Sequence, residues 1–147
     1  MKKEKIYFAS DFHLGSPNYE ESLKREKKII FWLNEIEKDA KKIYLLGDIF
    51  DFWFEYEKVV PKGFVRLLAK LADLVDKGIQ IHFLVGNHDM WMRDYLEKEI
   101  GLKLHFKEFI VEEDNQLIFL GHGDGLGKGD YKYKNRKKFW NDASRRI

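Results

Sequence analysis

Short apolar runs alternate with longer amphipathic stretches along most of this sequence, and that alternation most constrains the fold. Residues 5–10, 42–46 and 79–85 are short, mostly apolar runs typical of buried strands. The stretches between them repeat apolar residues at helical spacing. Strands that alternate with helices predict a largely parallel sheet with right-handed crossovers and ligands beyond the strands' carboxyl ends.

Proline, glycine and capping residues set the expected bounds of the helices. The first helix is predicted from about residue 19 to residue 40, and the second from Pro61 to Gly78 with an apolar face of Phe64, Leu68, Leu71 and Val75. Asp89 is predicted to cap a third helix that ends at Gly101. Residues 106–111 and 116–120 then read as a strand pair.

Length and composition narrow the class of protein. The chain has 147 residues, close to the ~150 of a typical domain, and its 44% hydrophobic content excludes overall disorder. No apolar run approaches the ~20 residues of a spanning helix, so a cytoplasmic location is expected. The absence of cysteine excludes disulfides and thiolate zinc sites, so any metal must be bound by His, Asp, Glu or Asn.

Side chains that can bind metals follow four separate strands. Asp11 and His13 follow the first strand, and their i, i+2 spacing in an extended segment lets both reach one ion. Asp48 follows the second strand, and its two carboxylate oxygens make it the natural bridge between two ions ~3.5–4 Å apart. Asn87 follows the third strand and His122 the last.

Each of these residues alone favours a structural interpretation, since a lone His is usually a satisfied structural residue and an Asp before a loop is commonly a cap. The strings Asp-Phe-His, Gly-Asp-Ile-Phe-Asp, Gly-Asn-His-Asp and Gly-His-Gly-Asp nevertheless occur in order, each after an apolar strand. That joint context favours a functional site with two divalent ions.

These strings resemble the D-x-H, G-D, G-N-H-[DE] and G-H blocks of the calcineurin-like metallophosphoesterases. Residues 11–17, 47–56, 86–92 and 121–127 look more specifically like the UDP-2,3-diacylglucosamine hydrolases of lipid A synthesis, particularly the Bacteroidetes type. The resemblance implies an α/β fold, a sandwich of mixed, largely parallel sheet flanked by helices, incomplete here at the C-terminus.

The resemblance also assigns roles to individual residues. It implies one ion on Asp11, His13 and Asp48, a second on Asp48, Asn87 and His122, and manganese as the metal. His88 is expected beside the scissile phosphate as a catalytic residue. Asp89 is expected to orient the His88 imidazole through a hydrogen bond.

The implied substrate is UDP-2,3-diacylglucosamine, cleaved at its phosphoanhydride to UMP and 2,3-diacylglucosamine 1-phosphate. The enzyme is then expected to be cytoplasmic and peripheral on the inner membrane, whose surface is its second partner, and nucleic acid is not expected as a partner. Two alternatives stay open: a broad-specificity phosphodiesterase or nucleotide pyrophosphatase, and a non-catalytic fragment that binds lipid or nucleic acid.

One block of the family is missing. Longer members carry a final His-x-His that gives one more ligand to each ion, whereas His122 is the last histidine here. We therefore expect a truncated core over residues 1–127 with weakened catalysis. Residues 128–147 carry a net charge of +6 with interleaved aromatics and are expected to begin a lid or insertion.

Substrate contacts are expected from two places. Phe52 and Trp53 lie in an aromatic cluster just after Asp48 and could contact acyl chains, although packing in the core is an equally good interpretation. Asp130, Tyr133 and Arg136 are the candidates in the basic segment.

Overall fold

The computed structural model describes residues 2–124, so residues 128–147 and the candidates Asp130, Tyr133 and Arg136 lie outside its described part. The predicted division at residue 127 therefore stays a prediction. Six strands and three helices are described: β1 Lys5–Ala9, α1 Tyr19–Ile36, β2 Ala40–Leu46, α2 Val65–Asp76, β3 Gln80–Leu84, α3 Tyr95–Ile100, β4 Lys103–His105, β5 Phe109–Glu113 and β6 Gln116–Leu120.

The first four strands form one parallel sheet in the order β1-β2-β3-β4, and β5 and β6 form a separate antiparallel pair. This confirms the predicted α/β class. Because the sheet order follows the chain order, right-handed crossovers place the connecting helices on the same face. The core lies there and joins strand residues to helix residues, among them Ile43, Leu45, Ile81, Phe83, Leu33, Leu67 and Leu71.

The helices differ from the predicted ones at their ends. Helix α1 ends at Ile36 and not at residue 40, because Ala40 already belongs to β2 and pairs with Lys5. Helix α2 begins at Val65 and not at Pro61. Its N-terminus is satisfied from another element, since the buried carboxylate of Glu26 in α1 accepts the main-chain N–H of Leu67 at 2.9 Å.

The buried side of α2 is also shifted from the predicted one. Its fully buried residues are Leu67, Leu71 and Leu74. Of the predicted face only Leu71 is fully buried, whereas Leu68 and Val75 are partly buried against the core. The buried side of α2 is therefore shifted by about one residue, since Leu67 and Leu74 are fully buried in place of Leu68 and Val75.

Helix α3 is shorter than predicted and begins at Tyr95, so Asp89 is not its cap. The three-residue strand β4 follows and was not predicted, and β5 begins at Phe109 and not at residue 106. Within residues 2–124, no helix is long and apolar enough to cross a membrane.

The hairpin of β5 and β6 packs on the sheet face opposite the helices. Glu113 of β5 accepts a hydrogen bond of 2.7 Å from the Tyr44 hydroxyl and forms an ion pair with Lys42, both on β2. Burial and the Glu113 carboxylate raise the pKa of Tyr44, which keeps this hydroxyl a donor. The hairpin matters for function because β6 ends at Leu120, two residues before His122.

A histidine pair lies under the same hairpin. His82 Nδ1 and His105 Nε2 are 2.9 Å apart, and the His105 ring stacks on Phe109 of β5 at 3.8 Å between centroids. Burial is the main reason why the pKa of His82 falls from 6.5 to about 4, with the neighbouring His105 and Lys103 adding to it.

We expect the folded state to lose stability as the pH falls from about 6.5 towards 4. Unfolded His82 takes up a proton in that range while folded His82 does not, so acid favours unfolding. Urea denaturation at pH 7.0 and 5.0 measures the loss, and His82→Gln should reduce it. An equal loss in wild type and variant would contradict this assignment.

Candidate metal centre

The loops after β1 and β2 pair with each other and carry three of the predicted ligands. The main-chain N–H of Asp11 donates to Gly47 O at 3.0 Å, and that of His13 donates to Asp48 O at 2.9 Å. Asp11, His13 and Asp48 all have positive φ, at 59°, 46° and 53°. Left-handed backbone at non-glycine residues is costly and concentrates at functional sites, which supports a functional role for these loops.

The Asp48 carboxylate lies at the centre of the cluster and is buried. Its Oδ2 atom is 3.7 Å from His13 Nε2 and 3.1 Å from His122 Nε2, whereas Oδ1 accepts the main-chain N–H of His88 at 2.9 Å. Only Oδ2 therefore faces both imidazoles, so ions held by His13 and His122 would both meet this oxygen, whereas the sequence-based expectation assigned one carboxylate oxygen to each ion. Burial alone would raise the pKa of Asp48, but hydrogen bonds from His122 and His88 hold it below its usual value.

Asp11 completes the first group of ligands. Its Oδ1 is 3.7 Å from His13 Nε2, and Ser10 Oγ donates a hydrogen bond to its other oxygen. One ligand atom from each of Asp11, His13 and Asp48 lies within 4.8 Å of the other two. Two carboxylates and one imidazole at this spacing suit a divalent ion of the kind that binds oxygen and nitrogen.

The second group is centred on His122. His122 Nδ1 donates to the carbonyl oxygen of Leu46 at 2.8 Å, which leaves the Nε2 lone pair directed at Asn87 Oδ1, 3.2 Å away. Nε2 also faces Asp48 Oδ2, so three lone-pair atoms converge and need a positive charge between them. A proton supplies it in the metal-free chain, where Asp48 raises the pKa of His122 to about 9. A divalent ion fits the same donor set.

Asp51 is a site residue that was not among the residues predicted from the sequence. Its Oδ1 accepts from His13 Nδ1 at 3.2 Å, and its main-chain oxygen accepts from His88 Nδ1 at 2.9 Å. These bonds leave Nε2 of His13 available to an ion and Nε2 of His88 free. The string Gly-Asp-Ile-Phe-Asp contained the signal, because its second aspartate follows Asp48 by three residues.

The prediction that the Asp89 carboxylate accepts a hydrogen bond from the His88 imidazole is wrong. Asp89 is fully buried, and its carboxylate accepts main-chain N–H groups, of which those of Gly86 at 2.7 Å and Ile49 at 2.9 Å are the closest. The His88 ring is held by Asp51 instead. Burial, opposed by these hydrogen bonds, raises the pKa of Asp89 to about 6.

The structure places the two aromatic candidates for substrate contact in different environments. Trp53 is fully buried, and its ring packs on Phe50 at 4.5 Å between centroids, so it belongs to the core and not to a substrate surface. Phe52 is 59% exposed and lies against Trp91 at 5.7 Å between centroids. Exposed Phe54 and Tyr56 continue this surface, since alternate residues of an extended segment face the same side.

Gly86→Ala is expected to weaken binding of divalent ions about 10–100-fold, because a Cβ there would lie 2.2 Å from Asp48 Oδ1 and 2.5 Å from Asp48 N. Asp48 would have to move away from the ligands around it. Calorimetric titration with Mn²⁺ measures the effect. Gly78→Ala is the control: its φ of 84° makes the change destabilising, but a Cβ there meets nothing within 4 Å, so this variant should bind ions as wild type does. Wild-type affinity in Gly86→Ala would contradict the placement of Asp48.

Comparison with known proteins identifies the family of the chain. A family model described as calcineurin-like phosphoesterase matches residues 4–146. A UDP-2,3-diacylglucosamine hydrolase from Porphyromonas gingivalis is 49% identical over 122 residues, which are 83% of this chain and 47% of that protein. A second UDP-2,3-diacylglucosamine hydrolase, from Aliivibrio fischeri, is 31% identical over 131 residues, 88% of this chain and 52% of that protein.

A solved structure gives the same fold. The crystal structure of a protein of unknown function from Aquifex aeolicus has a TM-score of 0.53 and 21% identity, and the match covers 93% of this chain and 70% of that chain. The chain spans about half the length of the curated relatives it matches.

Proposed function

Because the chain belongs to the calcineurin-like phosphoesterase family, we propose that it carries the metal centre of a phosphoanhydride hydrolase whose substrate is UDP-2,3-diacylglucosamine. The products are UMP and 2,3-diacylglucosamine 1-phosphate. The observation that carries the chemistry is the convergence of ligand atoms on Asp48 Oδ2. The substrate is supported by the name of the Porphyromonas gingivalis relative.

The family implies divalent metal ions, and the described residues include groups suited to them. We propose Asp11, His13 and Asp48 for one ion, Asp48, Asn87 and His122 for the other, and manganese as the metal. Bound divalent ions supply Lewis-acid chemistry, polarising a phosphoryl group and lowering the pKa of water from 15.7 to about 7. Asp51 orients His13 for this site through the hydrogen bond at Nδ1.

His88 is proposed as the catalytic imidazole. Its Nδ1 donates to the main-chain oxygen of Asp51, so Nε2 is the nitrogen available to a substrate. The His88 ring lies 4.8 Å from the His13 ring between centroids, perpendicular to it, and its side chain is 41% exposed. A protonated Nε2 in that position can stabilise charge on a phosphoryl oxygen or donate a proton to the leaving group.

We propose that the acyl part of the substrate contacts the aromatic surface of Phe52, Phe54 and Tyr56. This surface begins one residue after Asp51, so it adjoins the proposed catalytic imidazole. Exposed aromatic side chains in this position suit acyl chains, and they also suit the proposed peripheral location on the inner membrane. Residues 128–147, proposed to begin a lid or insertion, carry a net charge of +6, which suits a diphosphate or an anionic membrane surface.

Phe52→Ser is expected to lower hydrolysis of the acylated UDP-sugar about tenfold and to leave hydrolysis of a small chromogenic phosphodiester unchanged. The reason is that only the acylated substrate buries methylene groups, each worth about 0.8 kcal/mol. Trp53→Ser is the contrasting variant. Because Trp53 is core, it should lower the free energy of unfolding by about 3–5 kcal/mol and reduce both activities alike. Equal losses of activity on the two substrates in Phe52→Ser would contradict the proposal that this surface contacts the acyl chains.

The experiment that tests the function compares two proteins. One is this chain, and the other is a chimera in which the C-terminal part of the Porphyromonas gingivalis relative follows it, supplying the His-x-His block of the family. We expect Mn²⁺-dependent cleavage of UDP-2,3-diacylglucosamine by the chimera, with tighter ion binding than in the chain alone. Equal cleavage of acylated and unacylated UDP-sugars would favour the broad-specificity alternative. Binding of lipid vesicles without turnover by either protein would favour the non-catalytic alternative.

A further inference from the structure

The Asp89 carboxylate lies between the loops that follow β2 and β3, and it is fully buried. It accepts N–H groups of Asp48 at 3.3 Å, Ile49 at 2.9 Å and Phe50 at 3.3 Å from one loop, and of Gly86 at 2.7 Å from the other. We propose that Asp89 is a positioning residue that holds the bridging Asp48 in place. This proposal rests on the two-ion site of the proposed function.

The loop after β2 needs an acceptor of this kind. Gly47 and Asp48 have φ of 90° and 53°, so the chain leaves the extended strand there and its N–H groups turn away from the sheet ladder. Buried N–H groups must find acceptors, and a carboxylate offers about four lone-pair sites. Asp89 therefore satisfies three consecutive donors, from Asp48 to Phe50, that strand pairing cannot satisfy.

The same short segment also fixes the Asp48 side chain. The N–H of His88 donates to Asp48 Oδ1, and Gly86 packs so closely on Asp48 that a Cβ would lie 2.5 Å from its nitrogen. The main chain of Asp48 is held by Asp89 and its side chain by His88. Oδ2 is thereby left directed at His13 and His122, as a bridging oxygen requires.

The test compares two changes of a buried carboxylate to an amide. Asp89→Asn keeps the size of the side chain but turns one acceptor oxygen into a donor that faces N–H groups. Glu26→Gln makes the same change where a buried carboxylate accepts the N–H of Leu67 at the start of α2, away from the proposed ligands. Both variants are expected to lower the melting temperature of the metal-free chain.

Titration calorimetry with Mn²⁺, at a temperature where circular dichroism shows each variant folded, separates positioning from stability. We expect Asp89→Asn to bind both ions about 10–100-fold more weakly, and Glu26→Gln to bind them as wild type does. Wild-type affinity in Asp89→Asn, or an equal loss in Glu26→Gln, would overturn the proposal. If the wild-type chain itself fails to bind two ions, the proposed function fails independently of Asp89.

A measurement on the wild-type chain covers the case in which Asp89→Asn does not fold. Hydrogen exchange of the metal-free chain, followed by NMR, reports on the N–H groups of Ile49 and Gly86, which make the two shortest bonds to Asp89. We expect both amides to exchange as slowly as those in the core of β2, because the carboxylate holds the loops before any ion binds. Fast exchange of both amides would show that Asp89 does not hold them.

Discussion

Asp48→Ala is expected to abolish binding of both divalent ions, whereas His122→Ala should weaken only one. Asp48 Oδ2 faces His13 on one side and His122 on the other, so the carboxylate belongs to both proposed ligand groups. His122 belongs to the second group alone, next to Asn87. Losing a direct ligand should cost at least the ~10–100-fold in affinity that loss of a supporting hydrogen bond costs.

Calorimetric titration with Mn²⁺ gives the number of ions and both affinities for each variant. Asn34→Ala, an exposed change on α1, serves as the control and should bind as wild type does. Two ions retained by Asp48→Ala, or equal losses in Asp48→Ala and His122→Ala, would contradict the bridging role of Asp48.

His88→Ala is expected to lower kcat by roughly 10²–10⁴-fold while binding of both ions stays within a few-fold of wild type. The ring of His88 is held by the main-chain oxygen of Asp51 and is absent from both proposed ligand groups. Its main-chain N–H, which donates to Asp48 Oδ1, is kept in the variant. The ions should therefore remain while the catalytic proton donor is lost.

Turnover of a chromogenic phosphodiester by the chimera with saturating Mn²⁺ measures the loss in kcat, and calorimetry measures ion binding in the same protein. Asp51→Asn should act mainly on ion binding through His13, because His13 bonds to the Asp51 side chain whereas His88 bonds to its main-chain oxygen, which the variant keeps. If His88→Ala lost its ions along with its activity, His88 would be a ligand and not the catalytic imidazole.

The sequence predicted the features that depend on local order. Asp11, His13 and Asp48 follow strands, and residues at the carboxyl ends of parallel strands meet at one edge of a sheet, so their proximity could be expected. The structure brings these three within ligand distance, as predicted. His122 was also expected beside them, yet it follows β6 of the separate antiparallel hairpin, so its position depends on how that hairpin packs on the sheet.

The features that sequence did not predict depend on contacts between distant residues. Phe52 and Trp53 are neighbours in the chain, yet one is exposed and the other buried, because an extended segment sends alternate side chains to opposite sides. Asp89 looked like a helix cap, whereas its partners lie in a loop some 40 residues earlier. The three-residue β4 is too short for any periodicity to predict.

Electron paramagnetic resonance of the chain with one and then two equivalents of Mn²⁺ tests the central claim most directly, namely that two ions share the Asp48 carboxylate. We expect the second equivalent to produce the spectrum of an exchange-coupled Mn²⁺ pair in the wild-type chain, because one oxygen that serves both ions holds them close together. The six-line spectrum of isolated Mn²⁺ at both loadings, with two ions bound, would contradict the account.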